Sequence, residues 1–170
     1  MAAHVIGDAY YWGRGVAIDH PRAMAAYKIA AEAGDALSQW QVGMMYCHGH
    51  GVSVDYDQAR AWLEKAAAQD DPAAFGELGF MYVMGQGVTP SWRRARELYQ
   101  RAIELGDSLS VENMQTLTES IANVTSSEKP PHTISTQFVS IHTSIHPIPS
   151  RSAPPSWTSG WRSTVRAART

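Results

Sequence analysis

The chain is poor in the groups from which much protein chemistry is built. One cysteine, Cys47, stands among 170 residues. An intramolecular disulfide and a four-cysteine zinc site are therefore excluded. Charge is sparse at 18%, with a formal net charge of −2, so no global field favours nucleic acid. Residues 1–109 carry 9 Lys+Arg against 13 Asp+Glu, and residues 110–170 carry 5 against 3. Neither part is a basic footprint. No apolar run reaches the roughly 18 residues of a membrane span. Met1-Ala2-Ala3-His4 lacks a basic region followed by an apolar one, so no secretory leader is expected and a cytoplasmic setting is the default. No Ser-His-Asp order and no nucleophile elbow stands out.

What is there is periodic. Gly13, Gly49 and Gly85 recur every 36 residues, and so do Gly15, Gly51 and Gly87. The same shift superposes Gly7, Gly43 and Gly79, then Tyr10, Tyr46 and Tyr82, and Val16, Val52 and Val88. Ala23, Ala59 and Ala95 coincide, as do Ala30, Ala66 and Ala102. Asp35, Asp71 and Asp107 share one position. A repeat in one register means stacked units that each bury a face against the next.

Each unit reads as two helices. Helix A starts after Asp35, Asp71 or Asp107, whose carboxylates suit the free amides of a first turn. Pro72 fits the first helical position. Gly7, Gly43 and Gly79 lie inside helix A, where glycine costs about 1 kcal/mol relative to alanine. Their recurrence predicts close approach of a neighbouring helix. Gly-x-Gly-Val then ends helix A, since glycine takes positive φ at little cost. These turn glycines (Gly13, Gly15, Gly49, Gly51, Gly85, Gly87) are structural, and the following Val16, Val52 and Val88 are expected in the core. Helix B starts near Asp19, Asp55 or Ser91. In the second unit Ala59, Trp62, Leu63, Ala66 and Ala67 form its apolar stripe, with Lys65 snorkelling. It ends at Gly34, Asp70 or Gly106.

The units run over about 2–37, 38–73 and 74–109. Leu109, Val111, Met114, Leu117 and Ile121 predict a further helix over 108–124. Gln115 and Thr118 replace the signature Gly and Tyr there, so it reads as a cap that closes a 2–124 domain. At the other end the sequence begins in the first turn of its first helix A, which reads either as the start of a minimal array or as a piece of a longer one. Of residues 125–170, 23 of 46 are Ser, Thr or Pro, and no helical period survives, which predicts a disordered tail.

Val42-Gly43, Tyr46, Gly49, Gly51-Val52, Asp55, Ala59, Trp62-Leu63 and Ala66-Ala67, with their equivalents in the units on either side, resemble the Sel-1-like repeat (SLR), a relative of the tetratricopeptide repeat. The resemblance covers about residues 2–109. It implies an all-α fold, a right-handed α/α superhelical solenoid of about three units plus a partial capping helix. It also implies a non-enzymatic adaptor or scaffold role in protein complexes. Thr89-Pro90-Ser91-Trp92 and Ile103 depart from the pattern. The lone Cys47 excludes the disulfide framework of the cysteine-rich members.

In this family helix A lines a concave groove. Positions offset from the Gly and Tyr face should look into it: His4, Asp8, Tyr11 and Trp12; Trp40, Met44, Cys47 and His48; then Gly76, Phe80, Val83 and Met84. A surface rich in aromatics and methionine suits an extended or helical peptide with apolar side chains. The bland alternative is that adjacent repeats bury these residues as core.

Cys47-His48-Gly49-His50 offers soft sulfur and imidazole. Structural zinc needs four ligands, however, so no metal and no cofactor is expected. His142-x3-His146 is weaker. The Gly-x-Gly turns follow helices and lack the strand of a dinucleotide loop. Asp70-Asp71 is explained by a capping turn. Asn123-Val124-Thr125 is a glycosylation sequon.

The function expected is therefore a protein–protein interaction scaffold, monomeric or part of a larger complex. Its partner would be a protein or peptide of unknown identity, not nucleic acid, and no membrane span is expected. The other readings are a regulatory or accessory subunit of an enzyme complex, of cell-wall synthase or protein quality control type, one responsive to metal through Cys47 and His48, and a truncated array without autonomous function.

Overall fold

The structure is a computed structural model that describes residues 2–126, with side chains to Ala122. The predicted disordered tail at 125–170 lies almost wholly outside the described residues. Those described form seven helices and no strand: α1 (Ala2–Trp12), α2 (His20–Glu32), α3 (Ala36–His48), α4 (Tyr56–Ala67), α5 (Pro72–Met84), α6 (Trp92–Glu104) and α7 (Leu109–Ser126). Each helix packs on the next along the chain, and α7 also touches α5. This is an all-α solenoid of three helical hairpins followed by one more helix.

The helix starts follow from the capping residues. Asp19, Asp35, Asp55, Asp71 and Ser91 are N-caps, each accepting a hydrogen bond from the backbone N–H three residues on. Asp107 does the same for Ser110, at 3.0 Å. These bonds satisfy amides that the helix itself leaves free. Helices α3 and α5 end on Gly49 and Gly85 in the left-handed region, at φ 71° and 68°. Each turn is tied back in the same way. The N–H of Asp19, Asp55 and Ser91 donates to the carbonyls of Tyr10, Tyr46 and Tyr82. At the end of α4 it is Asp70 that takes positive φ, 59°, where the equivalent Gly34 and Gly106 stand at 94° and 93°. Asp tolerates this region better than most residues.

The glycines inside helix A are sites of close approach. A Cβ on Gly7 would lie 2.5 Å from the Tyr27 ring, one on Gly43 2.7 Å from Leu63 Cγ, and one on Gly79 2.7 Å from Tyr99. Tyr27, Leu63 and Tyr99 are themselves 36 apart and fully buried. Each hairpin is thus locked by one large helix-B side chain seated in a notch of helix A. Ala23, Ala59 and Ala95 have no exposed surface and let the same helices approach.

One expectation needs correction. Val16 is exposed, although Val52 and Val88 pack against the core. Gly87 brings the third turn against Tyr56 and Gly51 brings the second against His20, whereas a Cβ at Gly15 in the first turn would meet nothing within 4 Å. In α7, Val111 is exposed and Leu117 is fully buried.

Candidate functional site

The helix-A residues expected to line a groove fall into four register positions, and burial separates them. Asp8, Met44 and Phe80 are all buried. At the next position His4 is half-buried, whereas Trp40 and Gly76 are buried. Tyr11 and Val83 are buried and Cys47 half-buried. Only the position of Trp12, His48 and Met84 is accessible in every unit, half-buried in Trp12 and Met84 and exposed in His48. These are the last residues of α1, α3 and α5.

The reason is packing. Helix α3 is held between α2 and α4, and α5 touches α4, α6 and α7. Most of the helix circumference is therefore covered. Trp40 at 2% exposure and Met44 at 0% belong to the core cluster and present no surface to a partner. His4 ties α1 to α3, with Nδ1 2.9 Å from Ser38 Oγ and 3.6 Å from Asp35. Asp8 accepts a 2.7 Å hydrogen bond from the Tyr27 hydroxyl. Burial, and then that bond, push the Tyr27 phenol well above its ordinary range.

At the ends of α1 and α3 the structure assembles a cluster of rings. The Tyr11 Oη and His50 Nδ1 atoms are 2.7 Å apart. Burial pushes the Tyr11 phenol up to about 12. Burial and then the neighbouring His48 and His20 hold His50 below its ordinary value. The bond runs from the Tyr11 hydroxyl to a bare Nδ1 or from Nδ1–H to the hydroxyl oxygen, according to the His50 tautomer. The His20 and His50 rings stack at 5.2 Å, His48 lies 5.5 Å from His50, and Trp12 meets Tyr11 edge-on at 5.0 Å. His48 Nδ1 is 2.9 Å from the Met44 carbonyl, so that nitrogen donates and fixes the ring.

His20 did not stand out among the helix-A positions because it opens helix B. Its register does carry a signal, since His20, Tyr56 and Trp92 place a ring at the first position of helix B in every unit.

This cluster presents rings and polar donors, not a nucleophile with its base. Burial and then Glu77 push the Cys47 thiol up to about 12, so it is no thiolate at neutral pH. Among the described residues no group of three or more His, Cys, Asp or Glu is arranged to hold a metal ion. Among them, too, no helix is long and apolar enough to cross a membrane.

Comparison with known proteins agrees with this architecture. The chain is 34% identical to a Sel1 repeat protein from Oxalobacter formigenes over 84% of its own length and 56% of that chain, with a TM-score of 0.66. It is 30% identical to a protective antigen of uropathogenic Escherichia coli strains that displays an SLR fold, over 84% of its own length and 30% of that chain, with a TM-score of 0.65. It thus spans little more than half of the first protein and less than a third of the second. No curated protein matches the sequence. Sel1 repeat proteins act generally as protein–protein interaction scaffolds, and their fold is typically non-catalytic. The Sel1 repeat profile matches residues 1–35, 36–71 and 77–107, and with three such units in one register the chain belongs to the Sel1 repeat family.

Proposed function

We propose that the protein is a non-catalytic scaffold that captures an extended protein segment along the ends of its A helices, through Trp12, His48 and Met84. One observation carries this reading: of the four nominated register positions, theirs alone stays accessible in all three units. Residues at one register of a stacked array form a row, which suits a ligand running along the solenoid axis. Trp12 supplies an aromatic anchor, Met84 a side chain that adapts its shape, and His48 a polar contact between them. Tyr11 and His50 brace the row from beneath through their hydrogen bond.

The test is affinity capture with the full chain and with a Trp12→Ala/His48→Ala/Met84→Ala triple variant. The triple variant keeps its helical content and a cooperative melting transition. It loses a defined partner by at least about tenfold, the scale of one interface anchor. Equal recovery of every partner by both proteins overturns the proposal.

A further inference from the structure

A second surface lies on another face of the array. Helices α4, α5 and α6 enclose an open cavity of about 260 Å³. Phe75, Leu78 and Tyr82 of α5 form its floor, and Leu98 of α6 one wall. Glu64 of α4 and Arg94 of α6 bring one charge of each sign to its lining. Tyr82 and Met84 are two residues apart on α5, about 200° around the helix, so this cavity is separate from the row of helix-A ends.

The repeat itself shows why the cavity exists. At the preceding junction the residue equivalent to Leu98 is Trp62, whose indole is 8% exposed with the Lys65 ammonium 3.7 Å above its ring. The residue equivalent to Glu64 is Lys28, whose Nζ reaches the Tyr46 hydroxyl at 3.2 Å. The second junction has the smaller Leu98 in place of the indole and the shorter, acidic Glu64 in place of the lysine. At these two positions an aromatic side chain and a cation give way to a leucine and a carboxylate, while Phe75 and Arg94 stand where the first junction has Gln39 and Gln58.

We propose that this cavity is a docking site for an aromatic side chain of a peptide partner. A basic residue on one flank pairs with Glu64, and an acidic residue on the other pairs with Arg94. The volume suits a single side chain rather than a drug-sized molecule. The apolar floor desolvates the ring, and Arg94 can bind over its face or its acidic neighbour. Arg94 now holds Glu97 at 2.9 Å, but that pair is exposed and exchanges readily.

The experiment uses the full chain, isotope-labelled, titrated with the peptide Ac-Lys-Trp-Asp-NH2. Saturable amide shifts centred on Phe75, Tyr82 and Leu98 are expected. Ac-Lys-Ala-Asp-NH2 binds at least about tenfold more weakly, as truncation of an aromatic anchor requires. Leu98→Trp supplies the side chain that the equivalent position already carries, so it fills the cavity and removes binding. If that variant misfolds, Arg94→Glu, at an exposed position, still reports by weakening this peptide several-fold. Shifts scattered away from the cavity, or equal affinity for the Trp and Ala peptides, overturn the proposal. So does unaltered affinity in a folded Leu98→Trp or Arg94→Glu protein. None of these outcomes bears on the Trp12, His48 and Met84 row.

Discussion

Gly51 rests directly against the backbone of His20: a Cβ at Gly51 would lie 2.5 Å from the His20 carbonyl carbon and 2.6 Å from its oxygen. Gly87 repeats the contact against Tyr56. In the second and third turns the two glycines therefore have different duties. The first reverses the chain after helix A. The second lets the turn dock on the start of helix B in the preceding unit.

Gly51→Ala should accordingly be worse than Gly49→Ala. Both residues have φ near 70°, where a side chain costs about 1–2 kcal/mol. At Gly49 the new methyl meets the Val54 side chain at 3.1 Å, which can move. At Gly51 it meets backbone, and overpacking adds about 1–3 kcal/mol. Thermal unfolding followed by circular dichroism should rank wild type above Gly49→Ala, and Gly49→Ala above Gly51→Ala. Equal losses would refute the separation of duties.

Tyr27 and Tyr99 occupy one register position but differ in polar company. Tyr27 donates to Asp8, whereas the Tyr99 hydroxyl is buried without a hydrogen-bond partner because Phe80 stands where Asp8 stands in the first unit. Tyr27→Phe should cost about 2 kcal/mol, the scale of a hydrogen bond to a charged group. Tyr99→Phe should be neutral or stabilising by up to about 1 kcal/mol. Denaturant melts of the two variants decide it, and a large loss in Tyr99→Phe would contradict the structure.

Acid should loosen the ring cluster. His50 in the folded protein titrates below its ordinary value of 6.5, so between the two values the unfolded chain binds more protons. Stability then rises with pH across that window and is lost as pH falls below about 6.5. His20, His48 and Tyr11 face His50; the two imidazoles disfavour a charge on His50, while the Tyr11 phenol stays neutral. Melting temperature measured from pH 8 to pH 5 should fall less in His50→Gln than in wild type. Parallel curves would show that His50 does not contribute.

Trp40→Ala and Trp12→Ala separate core from surface. Trp40 is 2% exposed, and its truncation should cost about 3–5 kcal/mol. Trp12 is half-buried at a helix end and should cost about 1–2 kcal/mol. Chemical denaturation of both variants checks the order, and a Trp12 loss as large as that of Trp40 would remove Trp12 from the proposed binding row.

The hairpins, caps and turns were legible because each rests on local chemistry. Asp35, Asp55 and Asp71 cap helices through bonds that span three residues, and Gly49 and Gly85 end them through their own φ. The notches at Gly7, Gly43 and Gly79 could be anticipated from recurrence, though not their occupants Tyr27, Leu63 and Tyr99. The groove was less legible. Helical spacing marks which residues share a face, but burial depends on how many neighbours cover that face. Met44 looks like a surface methionine on a helical wheel and is fully enclosed because α3 lies between α2 and α4.

By itself, then, the sequence determined the unit: its 36-residue period, its two helices and the glycines that turn between them, all set by interactions within a few residues. The tertiary structure alone decided what remains outside. It buried Trp40 and Met44, left Trp12, His48 and Met84 accessible, gathered His20 to His50, and opened the cavity beside Leu98. Each of these is a sum over contacts between units, and side chains from distant parts of the chain decide that sum.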